Sequence, residues 1–253
     1  MKKNLIILTC TVRPTTNVQK TRRFETKLRL IDYQKSIEFW SKYVCKNQEF
    51  DLLILENSSS INMLRKYERK SKLFTKIIFR ECTQDTLSLK QGISAGELSM
   101  LRQSNNFVNH QDYNFIWKVT GRSRIANIRQ VLGSIKRADI VADRVFIPRH
   151  ALNSRFFGMS PECWEKFTTR KVNFNETNRS HDEFESMEHY LTAFALEMEF
   201  RGYRQRGFLK TPIFLEHSGS TNKRVDSIQR SFLLAVLNPI RPFLIRLLLG
   251  STP

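Results

Sequence analysis

Residues 4–11 read NLIILTCT, a nearly unbroken apolar run that is typical of a strand covered by helices on both faces. Helical spacing follows over residues 24–46, where Leu28 and Val44 belong to the apolar face. Asp51–Leu55 reads DLLIL and repeats the pattern of a buried strand. A strand, a helix and a second strand in this order predict the start of an α/β fold with a parallel sheet.

The same alternation continues along the chain. It predicts a strand at Lys76–Phe79, a helix at Ala95–Phe107, a strand at Asn114–Val119, a helix at Ile128–Arg137, an extended stretch at Ile140–Pro148 and a helix from about Glu183 to Arg201. We therefore expect one α/β domain over residues 1–224, with a mainly parallel sheet and helices on both faces. In such sheets, ligands bind at the carboxyl ends of the strands. Those ends carry Thr11–Arg13, Glu56–Ser58 and Thr120–Arg124.

The chain is strongly basic: 42 Lys and Arg residues against 24 Asp and Glu give a formal net charge of +18 over 253 residues. Its hydrophobic content of 40%, with 19 Phe, is enough for a sizeable core and excludes a chain that is disordered as a whole. A charge of this size suggests an anionic partner, and nucleic acid is one candidate. Four widely spaced cysteines without metal-site spacing are typical of reduced thiols in the cytosol.

The C-terminal residues 225–253 combine basic side chains with the apolar runs FLLAVL and PFLIRLLLG. Pro239, Pro242 and Arg246 interrupt these runs, so no stretch approaches the roughly 20 apolar residues that cross a bilayer. The composition predicts an amphipathic segment that lies on a membrane surface containing anionic lipid. The alternative is a C-terminal helix that packs on its own domain or on a partner.

The segment that follows the fourth predicted strand is Lys118–Arg124, which reads KVTGRSR. Gly121 permits a tight turn there, and three cations, Lys118, Arg122 and Arg124, bring positive charge to it. This suits a diphosphate, because Arg makes bidentate contacts to phosphate oxygens and Lys supplies a point charge. The alternative is a basic turn exposed to solvent.

A loop with two glycines, Gly92 and Gly96, leads into a predicted helix and reads QGISAGE. Backbone N–H groups at a helix start can hold an anion. The carboxylate of Glu97 can accept hydrogen bonds from sugar or ribose hydroxyls. The alternative is a simple capped helix, in which Ser94 is the N-cap and Glu97 closes a capping box.

The densest acidic block is residues 181–189, HDEFESMEH. On a helix, Glu185, Glu188 and His189 would share one face, but their order does not fit the HxxEH zinc motif. No Asp-x-Asp pair follows a predicted strand to hold a metal–diphosphate complex either. A general base for an acceptor hydroxyl is the better functional interpretation, because one positioned carboxylate is enough. The alternative is the charged face of an amphipathic helix.

Taken in order, these segments resemble bacterial glycosyltransferases of surface-polysaccharide assembly, of the O-antigen or capsule type, with a GT-A-like nucleotide-sugar fold. The resemblance spans residues 4 to about 195. It is carried by NLIILTCTVRP, LENSS, GISAGE, IWKVTGR, SRFFGMSPECWEKF and ESMEHYL. The combination of LENS with K-x-T-G-R contributes most.

The resemblance implies roles for particular residues. Thr11 and Arg13 would line the nucleotide pocket, and Glu56 and Asn57 would contact the base or ribose. The remaining positions would serve the donor sugar, the diphosphate and the acceptor. These are Gly92, Gly96 and Glu97 for the donor, Lys118, Gly121 and Arg122 for the diphosphate, and Glu188 as the base, with Asp182 as the second candidate.

The implied reaction is transfer of a sugar from a nucleotide-sugar, with a UDP-sugar as the expected donor, to a lipid-linked glycan acceptor. It would take place at the cytoplasmic face of the bacterial inner membrane, where the protein would be a peripheral enzyme bound through residues 225–253. Residues 118–122 stand where many such enzymes carry Asp-x-Asp, so we expect cations rather than a metal ion to stabilise the leaving diphosphate. A nucleic-acid-binding protein and a non-catalytic scaffold of the same fold are the competing hypotheses.

Overall fold

The computed structural model describes residues 2–14, 25–65, 76–83, 91–135, 137–145, 151–174, 183–184 and 186–215. Two features predicted from the sequence, the membrane-associating segment 225–253 and the candidate base Asp182, lie outside these residues. Within them, no helix is both long enough and apolar enough to cross a bilayer.

Strands and helices alternate through most of the described chain. The strands are β1 (Lys3–Cys10), β2 (Phe50–Glu56), β3 (Ile77–Glu81), β4 (Tyr113–Thr120), β5 (Ile140–Val145), β6 (Ala151–Met159), β7 (Asn173–Phe174), β8 (Glu183–Phe184) and β9 (Gln205–Arg206). The helices are α1 (Thr26–Lys46), α2 (Ile61–Leu64), α3 (Ile93–Gln103), α4 (Ile128–Gly133), α5 (Pro161–Thr169) and α6 (Met187–Phe200).

Seven of these strands form one sheet in the order β3-β2-β1-β4-β6-β5-β9. The pairs β3–β2, β2–β1 and β1–β4 are parallel, whereas β6 runs antiparallel to both of its neighbours, β4 and β5. β9 pairs with β5 in parallel, and β7 and β8 form a separate two-stranded ladder. The predicted fold class, an α/β fold with a mainly parallel sheet, is confirmed.

The sheet is buried on both faces, as the continuous apolar runs predict. Leu5 and Ile7 of β1 pack into a core that includes α3, α5 and α6, which we call the first layer. The alternating residues Ile6 and Leu8 pack into a second layer with α1, α2 and α4. All four side chains are at most 1% exposed. Because side chains alternate along a strand, each strand residue belongs to one layer, and this decides which functional groups meet.

The acidic block differs from its prediction at its start. α6 begins at Met187 rather than Glu183, because the side chain of Ser186 caps it by accepting a hydrogen bond from the His189 N–H, 3.5 Å away. Glu183–Phe184 is instead the short strand β8, paired with β7. Glu188 therefore lies in the first turn of a helix whose N-terminus faces the main sheet.

Candidate active site

The loops after β1 and β2 meet at the carboxyl edge of the sheet, as their positions in the sequence predict. Thr11 Oγ1 donates a hydrogen bond to Asn57 Oδ1 over 2.7 Å, and the N–H of Arg13 donates to Ser58 Oγ over 2.9 Å. The side-chain amide N–H groups of Asn57 donate no hydrogen bond to any residue that the structure describes. Thr11, Arg13 and Asn57 thus form one polar rim at this edge.

Glu56, which the resemblance assigned to the base or ribose, is fully buried. It accepts hydrogen bonds from the N–H groups of Val12 (3.1 Å), Ser58 (3.0 Å) and Ser60 (2.7 Å), and from the hydroxyl of Ser58. Both carboxylate oxygens are therefore occupied within the protein. The structure gives Glu56 a different task from the predicted one: it joins the loops after β1 and β2.

An aromatic residue of α1, Tyr33, stands beside these loops between two arginines. Its hydroxyl accepts hydrogen bonds from the Thr11 N–H and from Arg29 Nη2, each 3.0 Å away. Its ring lies 5.7 Å from the guanidinium carbon of Arg29 and 6.0 Å from that of Arg122. We call Arg29, Tyr33 and Arg122 the arginine cluster.

The two arginines of this cluster differ in how they are satisfied. Arg29 donates from Nε to the carbonyl oxygen of Thr11 over 2.8 Å. Arg122 has Nε and Nη1 buried with no hydrogen-bond acceptor among the described residues. Buried guanidinium groups are almost always hydrogen-bonded, because desolvating a charged donor without an acceptor is costly. The described residues therefore leave two buried donor atoms of Arg122 without an acceptor at the carboxyl edge of the sheet.

Gly121 brings Arg122 to this position through a close approach of two strands. A Cβ at residue 121 would lie 2.4 Å from the carbonyl oxygen of Thr9 and 2.6 Å from Cys10 Sγ. The Gly121 N–H donates to the same Thr9 oxygen over 3.0 Å. Burial raises the pKa of the neighbouring Cys10 thiol well above its ordinary value, so this cysteine is not a reactive thiolate.

Lys118 is the most unusual residue of the site, since its side chain has no exposed surface. Its Nζ lies 2.6 Å from Glu97 Oε1, 3.1 Å from Thr120 Oγ1 and 2.5 Å from the carbonyl oxygen of Ser154. An ammonium group has three hydrogens to donate, and these three oxygens account for them. A direct contact between Lys118 and a diphosphate, as the sequence predicted, would have to break these bonds.

The contacts of Lys118 extend in both directions through the first layer. Thr9 Oγ1 donates to Glu97 Oε1 over 2.9 Å, and Ser154 Oγ donates to Glu188 Oε1 over 2.7 Å. We call Thr9, Glu97, Lys118, Ser154 and Glu188 the lysine network. This network joins β1, α3, β4, β6 and α6. It includes Glu97, which the sequence analysis selected for the donor, and Glu188, which it selected as the base.

Glu188 is ionised in this environment. Burial raises the pKa of its carboxyl, but hydrogen bonds from Ser154, the backbone and Ser186, together with the charge of Lys118, outweigh that effect and bring the pKa below its usual value. Asp182 and Glu185 of the same acidic block lie outside the described residues. Among the residues that are described, no group of three or more His, Cys, Asp or Glu side chains is placed to hold a metal ion.

The glycine loop also differs from its simpler interpretation. α3 begins after Gly92, whose φ of 90° is in the left-handed region that favours glycine. Ser94 does not cap the helix; its hydroxyl accepts a hydrogen bond from the N–H of Met187 over 3.1 Å. Glu97 closes no capping box, because its carboxylate binds Thr9 and Lys118. Gly96 lies in the first turn of α3, where its N–H donates to the Gly92 carbonyl oxygen over 3.3 Å.

Comparisons with known proteins give structural neighbours but no family. No protein-family model and no curated protein matches the chain. The inositol-1-phosphate CTP transferase from T. maritima is similar, with a TM-score of 0.48 and 12% identity, over 92% of this chain and 95% of that one. A putative nucleotide-diphospho-sugar transferase from Desulfovibrio desulfuricans G20 gives 0.44 and 9%, over 82% and 80%. The galactosyltransferase LgtC, in complex with donor and acceptor sugar analogs, gives 0.45 and 9%, over 64% and 59%. Identities this low do not transfer an activity, so what this protein does has to be inferred from its own residues.

Four residues of the site were not predicted from the sequence: Thr9, Arg29, Tyr33 and Ser154. Arg29 and Tyr33 are four residues apart on the buried face of α1. An arginine among the apolar positions of this helix is a pattern that indicates a buried cation. Ser154 gave no signal, because its place beside Lys118 depends on the register of β6 against β4. The site thus consists of a polar rim, a buried cationic cluster and an internal network of charged groups.

Proposed function

We propose that this protein is a GT-A-like glycosyltransferase that moves a sugar from a nucleotide-sugar donor to an acceptor hydroxyl. The observation that carries the proposal is the guanidinium group of Arg122 at the carboxyl edge of the sheet, where the buried Nε and Nη1 have no acceptor among the described residues. A diphosphate supplies the missing acceptor oxygens and the opposite charge. Open α/β sheets bind nucleotides at this edge.

The nucleoside is assigned to the polar rim. The amide of Asn57 is positioned by Thr11. Its side-chain N–H groups donate to no described residue, which suits the carbonyl oxygen of a pyrimidine base. Arg13 follows Thr11 on the loop after β1, where its backbone N–H donates a hydrogen bond to Ser58. A UDP-sugar is accordingly the donor that we expect. Glu56 supports this rim from beneath and does not contact the nucleotide.

The transferred sugar and the acceptor are assigned to the carboxylates of the lysine network. The side chain of Glu97 is 16% exposed, so this carboxylate can accept a hydrogen bond from a sugar hydroxyl. Glu188 is ionised and partly exposed, which is the state that a base needs before it takes a proton. Glu188 would take the proton of the acceptor hydroxyl as that oxygen attacks the anomeric carbon. The bond from this carbon to the diphosphate breaks in the same step.

Stabilisation of the leaving diphosphate is assigned to Arg122, with Arg29 adding positive charge behind Tyr33. Fixed cationic donors aimed at developing negative charge can supply the stabilisation that a bound metal ion gives in other enzymes. We therefore propose that the transfer proceeds without a divalent metal.

The acceptor and the location rest on the resemblance and on the composition of residues 225–253. We propose a lipid-linked glycan acceptor in bacterial surface polysaccharide synthesis, at the cytoplasmic face of the inner membrane. Removal of residues 225–253 should move the protein from membranes containing anionic lipid to the soluble fraction. Unchanged partitioning of the shortened protein would contradict a membrane role for this segment.

The nucleotide proposal is tested by thermal unfolding with a panel of nucleoside diphosphates in the presence of a chelator. UDP should raise the melting temperature of the wild-type protein, and Arg122→Ala should abolish that rise. Arg129→Ala is the matched control, because it removes an exposed arginine and should leave the rise intact. Absence of a shift with every nucleotide would refute the proposal. Steeply salt-dependent binding of DNA or RNA that survives Arg122→Ala would support a nucleic-acid-binding protein instead.

A further inference from the structure

Lys118 should be costly to bury, and its surroundings show how that cost is offset. A charged ammonium group without exposed surface is stable only when oxygen atoms replace its water. One of its three oxygen contacts is the Glu97 carboxylate at 2.6 Å, and another is the Ser154 carbonyl at 2.5 Å. The ring of Phe157 lies 5.8 Å from Nζ and closes another side. Lys118 is thus held as a charged group inside the protein.

Ser154 connects this buried charge to Glu188. Its carbonyl oxygen accepts from Lys118, while its hydroxyl donates to Glu188 Oε1 over 2.7 Å. The backbone that carries this hydroxyl is therefore fixed by Lys118. Glu188 is affected in two ways: by the charge of Lys118, and by the serine that Lys118 holds in place.

We propose that Lys118 is a positioning residue that holds Glu97 and Glu188 in fixed orientations. This inference rests on the proposed function, in which Glu188 is the base, and it replaces the direct contact between Lys118 and a diphosphate that the sequence suggested. Lys118 acts from the interior, through Ser154 and its charge, and touches neither substrate. The two charges of the network that serve the donor and the acceptor then depend on one internal cation.

The groups around Glu188 make this dependence testable. The charge acting on its carboxylate is that of Lys118 on β4, whereas its hydrogen-bond partners Ser154 on β6 and Ser186 at the start of α6 are neutral. Glu97 on α3 contacts the same ammonium group. Loss of the charge at residue 118 should therefore raise the pH at which Glu188 takes up a proton.

The experiment is a titration of the glutamate side-chain carboxyl carbons, labelled with carbon-13, followed by NMR in the protein without ligand. The Glu188 resonance is assigned by its absence in Glu188→Gln. In the wild type, the midpoint of this resonance should lie below that of an ordinary glutamate. In Lys118→Met, its midpoint should move to a higher pH, because loss of a nearby opposite charge favours the protonated carboxyl.

Lys166→Met is the matched control, because it removes a lysine from the exposed ion pair with Glu162 and should leave Glu188 unchanged. Ser154→Ala removes the hydroxyl that donates to Glu188, and it too should raise the midpoint. Unlike Lys118→Met, it leaves no buried charge unpaired. If Lys118→Met fails to fold, Lys118→Gln, which removes the charge but keeps a polar side chain, takes its place. An unchanged midpoint in a folded variant without the charge at residue 118 would overturn the inference. The nucleotide shift and its loss in Arg122→Ala test the proposed function separately, so failure of one is distinguishable from failure of the other.

Discussion

Nζ of Lys118 lies 2.6 Å from Oε1 of Glu97, and this ion pair joins the end of β4 to the first turns of α3 inside the first layer. The lysine has no exposed surface and the glutamate side chain is 16% exposed. The pair therefore sits largely out of water, where a charge that loses its partner is poorly compensated.

Lys118→Met should lower the free energy of unfolding by about 3–5 kcal/mol, because it leaves the Glu97 carboxylate without its cation. The double variant Glu97→Gln with Lys118→Met should recover part of that loss, since no unpaired charge remains. Urea unfolding at neutral pH measures both. A double variant less stable than Lys118→Met would show that the pair is not what holds these elements together.

Glu56→Gln should destabilise the protein by roughly 2–3 kcal/mol, because an amide group replaces an oxygen that accepts charge-assisted hydrogen bonds from buried N–H groups. Asp112→Asn is a matched control, since that carboxylate binds only at the surface, to Asn109. Chemical denaturation gives both values. Equal effects of the two changes would contradict the assigned task of Glu56 between the loops after β1 and β2.

Gly121→Ala should cost several kcal/mol or prevent folding, because its Cβ would lie 2.4 Å from the Thr9 carbonyl oxygen, which is backbone and cannot move aside cheaply. Gly133→Ala, at the end of α4, meets no atom within 4 Å. It should be neutral or stabilise by up to about 1 kcal/mol. The difference in melting temperature between the two variants is the measurement, and similar stabilities would refute the close approach.

Arg122→Met should raise the stability of the protein without ligand by about 1–2 kcal/mol, since it removes buried N–H groups that have no acceptor among the described residues. The same change should remove the rise in melting temperature caused by UDP. This combination of gained stability and lost binding is expected of a functional group and not of a structural one. A loss of stability in Arg122→Met would indicate that the arginine is satisfied within the protein.

His110→Phe should reduce the sensitivity of the protein to acid. Burial lowers the pKa of His110 from 6.5 to about 4. As the pH drops from 6.5 towards 4, His110 takes up a proton in the unfolded chain but stays neutral in the folded protein, so the free energy of unfolding falls. This contribution amounts to roughly 3 kcal/mol. Phenylalanine keeps an aromatic ring beside Trp164, and Ser104 retains its bond to the Leu101 carbonyl.

The measurement is the difference in unfolding free energy between His110→Phe and the wild type, taken at several pH values so that other titrating groups cancel. The difference should grow in favour of the variant between pH 6.5 and 4. A constant difference would mean that His110 is not held neutral by burial.

The strand positions of the site could be predicted from the sequence, because continuous apolar runs fix both the strands and their parallel order. Thr11 and Asn57 accordingly meet where expected. The sequence analysis placed Lys118 and Arg122 together at the Gly121 turn, but the structure separates them. The pleat of β4 directs Lys118 into the first layer, whereas the turn at Gly121 carries Arg122 to Tyr33 of the second.

Contacts that depend on distant pairing were beyond the reach of sequence patterns. Ser154 reaches Lys118 only because β6 pairs with β4 in one register, and nothing within residues 151–159 indicates that register. The capping-box interpretation of Ser94 and Glu97 failed for a related reason: long-range partners, Met187 and Lys118, outcompeted the local hydrogen bonds.

The reversed direction of β6 has a consequence for protein synthesis. Because β6 runs antiparallel to β4, the first half of β6, and not its last residue, lies beside the end of β4. The chain must continue beyond β6 before α6 can return to this edge of the sheet. A nascent chain that has emerged as far as Thr120 already contains every residue of the polar rim, but neither Ser154 nor Glu188. The site cannot be complete on the ribosome until the chain beyond Glu188 has left the exit tunnel.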